Sequence, residues 1–129
     1  MHGERDLSLL LRDLDVTRRD GVYTFVTGEW PALDAEAHAT VIEPEGHTYV
    51  VDVDDAHRVG APVEFEAAWL TLTVFSALDA VGLTAAVSSV LADAGIACNV
   101  IAGFHHDHLL VPVERAGDAI ALLRSFRGS

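Results

Sequence analysis

The sequence predicts an α+β protein built from two ferredoxin-like (βαββαβ) halves, each an antiparallel sheet covered by helices. Three observations predict it. From residue 67 onward the hydrophobic periodicity reads strand, helix, strand, strand, helix. Residues 22–75 repeat that alternation with shorter helical turns, a weak internal repeat. Half of the 129 residues are apolar, mostly Ala, Val and Leu with only 7% aromatic. That is enough for a packed core and suits sheets under Ala- and Leu-rich helices. No low-complexity linker divides the chain, and the expected halves are residues 1–64 and 65–129.

The elements follow in order. Leu7, Leu10, Leu11 and Leu14 recur at helical spacing, which predicts a short amphipathic helix over 6–14. Arg18-Arg19-Asp20-Gly21 reads as a turn, and Val22 to Thr27 as a β-branched and aromatic strand. Gly28-Glu29-Trp30-Pro31 ends it, because Pro lacks the N–H that a ladder needs. A helical turn over 32–37 precedes two strands, 39–43 and 48–53, joined by Pro44-Glu45-Gly46-His47. Asp54-Asp55-Ala56-His57 starts a capped helical turn that stops near Gly60 and Pro62. Ala67 to Phe75 alternates and is β-rich, so it is a strand, with a loop from Ser76 to Gly82. Leu83, Ala86, Val87, Val90, Leu91 and Ala94 form one helical face, and Gly95 stands where a C-terminal cap belongs. Ile96 to Ala102 is a nearly continuous apolar run, which predicts a buried central strand. Phe104-His105-His106-Asp107 turns the chain into a strand over 108–113. Ala119, Ile120, Leu123 and Phe126 mark a last helix.

The net charge is −12 and there are only eight cationic side chains. Nucleic acid is therefore not an expected partner, because phosphate binding needs clustered Lys and Arg. The same charge argues against an anionic membrane surface. The single cysteine, Cys98, allows no intrachain disulfide and fits a reducing compartment. The polar start of the chain does not read as a signal peptide, and no apolar run has the length of a membrane span. A cytoplasmic location is expected.

The segment Leu78-Asp79-Ala80-Val81-Gly82-Leu83, the helix after it and Ala94-Gly95-Ile96-Ala97-Cys98-Asn99-Val100 resemble the signature of ACT domains. That signature combines an Asp-x-x-Gly-Leu-type turn before the first helix with a Gly-Ile-x-x-Asn-type approach to the second strand. The hairpin from Phe104 to Val113, and Glu43-Pro44-Glu45-Gly46-His47-Thr48 in the first half, are similar to small bacterial proteins with two tandem ACT-like halves. The resemblance implies a regulatory module that is not an enzyme. It also implies domains that pair side by side and hold an amino acid at the interface, against the loop between first strand and first helix. A homodimer is expected, since edge strands invite such pairing.

Elementary chemistry favours the same loop. A helix N-terminus offers free N–H groups to a carboxylate. Gly82 permits close backbone approach. Asn99 can both donate and accept, and Asp79 can attract an ammonium group. The expected ligand-binding set is therefore Leu78, Asp79, Val81, Gly82 and Leu83 with Asn99, Val100 and Ile101, and with His105 and His106 closing over it. No cofactor is called for. The bland account of the same residues is local: Gly82 turns the chain, Asp79 caps a helix, Asn99 bonds its own backbone.

Two other readings remain. One is an ACT-like dimerisation module without a ligand. The other is a metal site on the His105–His108 hairpin, where imidazoles and a carboxylate suit zinc, copper or nickel. Its spacing is awkward, because His106 and His108 share one strand face while His105 points the other way. No HExxH pattern, nucleophile elbow or phosphate-binding loop occurs, and Cys98 lies in an apolar run that suits an inert thiol.

Overall fold

The computed structural model describes residues 3–127. The protein is α+β, with tandem ferredoxin-like halves. Its elements are α1 (Leu7–Arg12), β1 (Val16–Thr27), β2 (Ala39–Glu43), β3 (Gly46–Asp52), α2 (Val53–Val59), β4 (Ala67–Leu72), α3 (Leu83–Asp93), β5 (Asn99–Ala102), β6 (Asp107–Pro112) and α4 (Ala116–Arg124). Two short 3-10 turns, Pro31–Leu33 and Val113–Arg115, precede β2 and α4.

The chain forms two compact units. One comprises the residues up to Arg19 together with those from Ala68 onward; the other is Asp20–Ala67. In the first, the strands are hydrogen-bonded in the order β1-β4-β6-β5, and in the second β2-β3-β1, with the long β1 contributing to both. The hairpins are antiparallel, as their turns require. Ile42 faces His47 across β2 and β3, and Ile101 faces His108 across β5 and β6.

The core of the first unit is aliphatic. Leu70 and Leu72 of β4 and Leu109 and Val111 of β6 point to one face and meet Leu83, Val87 and Leu91 of α3 and Ala119 and Leu123 of α4. The period of two along the strands and of 3.6 along the helices brings these side chains together. Leu10 and Leu14 from the N-terminal segment join the same cluster. The second unit has its own smaller core of Val26, Leu33, Tyr49, Val51, Ala56 and Ala61.

Helix ends follow local chemistry. Asp6 accepts from the Ser8 and Leu9 N–H groups and caps α1, and Asp52 accepts from Asp54 N and caps α2. Beyond α3, Gly95 takes φ +73°, with Gly95 N donating to Ala92 O and Ile96 N to Leu91 O. That is the paired bonding of a Schellman cap, as the glycine predicts.

Two expectations are corrected. Arg18-Arg19-Asp20-Gly21 is not a turn but the middle of β1, which already begins at Val16. Its side chains are exposed, so no apolar alternation marks it as strand, and the strand continues through Gly21 at φ +100°. The run from Ile96 is not a buried central strand. Only Asn99–Ala102 pairs, and β5 is an edge strand with half-exposed residues. Ile96 itself lies in the core beneath α3, and Cys98 packs against that core, which accounts for the apolar run without any ladder.

Candidate functional site

The loop from Thr73 to Gly82 leaves β4 at the point where α3 must start, and the N-terminal segment pins it. Glu4 and Ser76 form a parallel bridge, with Glu4 N donating to Phe75 O and Ala77 N donating to Glu4 O, each at 2.8 Å. A side chain at residue 3 would collide with this bridge, since a Cβ on Gly3 would lie 2.5 Å from Ala77 N. Arg5 then grips Asp79 with two bonds, Nε to Oδ1 at 2.8 Å and a terminal nitrogen to Oδ2 at 3.1 Å. Leu7 lies against Gly82, whose φ of +106° suits only glycine readily. Gly82 is the N-cap of α3 and provides no side-chain bond to the helix. The first N–H groups of α3 therefore receive nothing from a capping side chain, unlike those of α1 and α2.

Beside this helix start is a cavity of about 110 Å³. The loop contributes Ser76, Leu78 and Ala80 to its walls. Leu83 and Thr84 come from the first turn of α3. Ala102, Gly103 and Asp107 come from the β5–β6 turn, which closes through Gly103 N donating to His106 O. Ser76 Oγ stands 3.4 Å from Asp107 Oδ2, so a hydroxyl and a carboxylate share one end. A second, wider hollow of about 310 Å³ lies on the α1 side of the same loop, between Glu4, Leu9, Arg12, Asp13 and Phe75. Its charged groups are exposed, and Arg12 and Asp13 face each other at 3.5 Å.

Of the expected binding set, the structure brings Leu78 and Leu83 to the cavity wall. Asp79 is held by Arg5, and Val81 is 84% exposed. Gly82 shapes the loop without lining the cavity. Asn99, Val100 and Ile101 lie along β5, paired with Leu110, Leu109 and His108, and are not among the cavity's walls. His105 is exposed and contacts the Phe104 and Phe75 rings, 5.2 and 5.5 Å between centroids. His106 directs Nδ1 toward Val74 O at 3.2 Å and is not among the cavity's walls. Sequence reasoning set Ser76 aside because no nucleophile elbow surrounds it, and passed over Thr84, which carries no distinctive spacing. It weighed Asp107 only as a metal ligand. The one signal available for Asp107 was its place at the hairpin turn that follows the loop in space.

Behind the cavity is a polar cluster on β4 and β6. Trp69 Nε1 donates to His108 Nδ1 at 3.2 Å, Thr71 Oγ1 sits 2.9 Å from the same nitrogen, and the Arg19 guanidinium lies 4.1 Å above the Trp69 ring. An indole N–H only donates, so Nδ1 is the acceptor and the neutral ring carries its proton on Nε2. Burial, then Arg19 and then His106 push the His108 pKa down, with Asp107 opposing them. The hairpin histidines are thus separately engaged. Among the described residues no group of three or more His, Cys, Asp or Glu side chains is arranged to hold a metal ion. Cys98 is half-buried, which raises its thiol pKa and suits an unreactive sulfur.

The corresponding turn of the other unit, Gly28-Glu29-Trp30-Pro31, is occupied differently. Trp30 packs on that unit's core, donates from Nε1 to Thr27 O and donates from its backbone N–H to Tyr49 Oη.

Comparison with known proteins agrees with this arrangement. ACT domain models match residues 2–68 and 64–125. A Vibrio cholerae protein of unknown function, described as a possible transport protein, is 41% identical over 93% of this chain and 94% of its own, with a TM-score of 0.84. An Agrobacterium tumefaciens protein shares the fold at 21% identity, covering 88% of each chain, with a TM-score of 0.68. So does the regulatory subunit of aspartate kinase from Thermus flavus, at 11% identity over 87% of this chain and 96% of that one, with a TM-score of 0.64. No curated protein matches. With one family model spanning more than half of its length and a second covering most of the rest, the chain belongs to the ACT domain family.

Proposed function

We propose that this ACT protein is a regulatory module that binds an amino acid, or a similar small zwitterion, in the cavity between the Ser76–Gly82 loop, the start of α3 and the β5–β6 turn. The observation that carries this reading is the cavity itself, with a carboxylate and hydroxyl at one end and uncapped helix N–H groups beside it. A zwitterion needs both signs of partner within a few ångströms, and this site offers both. The family supplies the regulatory role. The work is binding and not turnover. The single half-buried thiol and the acidic surface suit a cytoplasmic protein whose partners are a small molecule and a second copy of itself. No described helix is long and apolar enough to cross a membrane.

A specific feature favours dimerisation. Leu78 and Val81, 67% and 84% exposed, stand on the loop that walls the cavity. Apolar side chains so placed are covered when a second copy packs on the loop, which would also close the ligand's exit.

The test is a thermal-shift screen of the pure protein against the twenty amino acids, zinc and nickel. A ligand stabilises the folded state by mass action, about 2.7 kcal/mol at a hundredfold excess over its Kd. An amino acid that raises Tm supports the sensor. A flat response to every amino acid discards it in favour of a ligand-free dimerisation module.

A further inference from the structure

We infer that the cavity selects the smallest zwitterionic amino acids, the glycine, alanine and serine class, and that Asp107 receives their ammonium group. This rests on the amino-acid reading above and sharpens it to a ligand class and an anchoring residue.

Size comes first. The cavity measures about 110 Å³. An engineered apolar cavity of about 150 Å³ holds benzene, which has six heavy atoms. Scaled by volume, the present space takes about four, so an amino-acid head group of ammonium nitrogen, α-carbon and carboxylate already fills it and leaves room for only a small side chain at its mouth. Its inner walls cannot retreat. Leu83 is 4% exposed and packs in the main core with Val87 and Leu91. Gly103 is backed by the hairpin, where an added Cβ would meet His106 O at 2.8 Å and His108 Nε2 at 3.2 Å. A close-packed wall yields only at a cost in packing energy.

Chemistry comes second. Asp107 places a carboxylate on the cavity, with Ser76 Oγ 3.4 Å from its Oδ2. Asp79, the other acid of the loop, is already bonded twice by Arg5. That leaves Asp107 as the acid facing the cavity, the group suited to an ammonium ion. The hydroxyl of Thr84 can donate to a carboxylate, while Ser76, whose proton goes to Asp107, can accept from a serine hydroxyl or an ammonium group. Large side chains are excluded by space: Leu78 and Leu83 already occupy part of the wall, and Ala77, Ala80 and Ala102 complete it.

The experiment is isothermal titration calorimetry of the full chain with glycine, L-alanine, L-serine, L-leucine, L-phenylalanine and L-arginine. It is repeated on Asp107→Asn and on Ala102→Leu, which places a larger side chain into the cavity from an exposed position. The expected result is binding of one or more of the first three only. Asp107→Asn should weaken it by about 10- to 100-fold, as loss of a charge-assisted bond does. Ala102→Leu should abolish it, and both variants should keep the parent Tm within a few degrees. Equal or tighter binding of leucine, phenylalanine or arginine overturns the size class while leaving the sensor intact. Binding of glycine, alanine or serine that survives Asp107→Asn within twofold overturns the anchor. Binding of none of the six, with the twenty-amino-acid screen also flat, overturns this inference and the amino-acid reading together.

Discussion

His108 shows how much one ring can be constrained by its neighbours. Trp69 and Thr71 both face Nδ1, Arg19 stands over the indole, and His106 and Asp107 precede the residue in the chain. A proton added at Nδ1 displaces a donor-only indole N–H, and the pKa is lowered accordingly, by burial first and by Arg19 next. The sign for stability follows. The folded state binds this proton less readily than the unfolded chain, whose value is about 6.5. Stability from the neutral ring is complete above that value and is lost as pH falls through it toward the lower folded pKa. Urea melts at pH 7.5 and pH 5.5 should show a larger acid loss for the parent than for His108→Gln. An equal loss in both proteins would show that the ring's environment is not coupled to folding. The contacts of Trp69, Thr71 and Arg19 are not visible in the His-His-Asp-His string, because they come from β4 and β1, more than thirty residues away.

At the scale of elements, the start of α3 is where local sequence and function meet. Gly82 combines a left-handed φ with a close neighbour: a Cβ there would lie 2.9 Å from Leu7 Cδ2. Gly82→Ala should therefore destabilise the fold by about 1–3 kcal/mol, read as a lower urea midpoint. A change at Gly82 tests stability and binding at once, so loss of ligand in such a variant says little about the site. The strap from Gly3 to Leu7 explains the crowding, since it bonds to Phe75 and Ala77, pairs Arg5 with Asp79 and lays Leu7 on the glycine. Its ion pair is exposed at both ends and belongs to the class worth little by itself. The strap's grip is mainly the backbone bridge and the leucine.

At the scale of the whole molecule, the acidic charge and the exposed apolar loop set the expected assembly. Val81→Asp puts a like charge into a self-complementary contact twice over, once per copy, because a two-fold interface repeats every change. Light scattering after size exclusion should give a dimer for the parent and a monomer for Val81→Asp, with the melting curve of the isolated chain otherwise little changed. A monomeric parent would remove the dimer from the proposal.

Much of the architecture was legible beforehand. The face of Leu83, Val87 and Leu91, the Schellman glycine at 95 and the two hairpins were read from spacing and turn residues, because each depends on neighbours within a few positions. The ACT signature could be recognised for the same reason. Three things were decided only by tertiary structure. The first half of β1 is a strand because β4 pairs with it, although its own side chains are polar and exposed. The apolar run after Gly95 forms an edge strand because its first residues are drawn under α3. The cavity draws Ser76, Thr84 and Asp107 from three elements, while Asp79, the acid that the motif suggested, is held by Arg5 from 74 residues away. Local periodicity reports which face of an element is apolar. Which polar groups end up sharing a cavity depends on contacts between distant segments, and no short-range pattern encodes those.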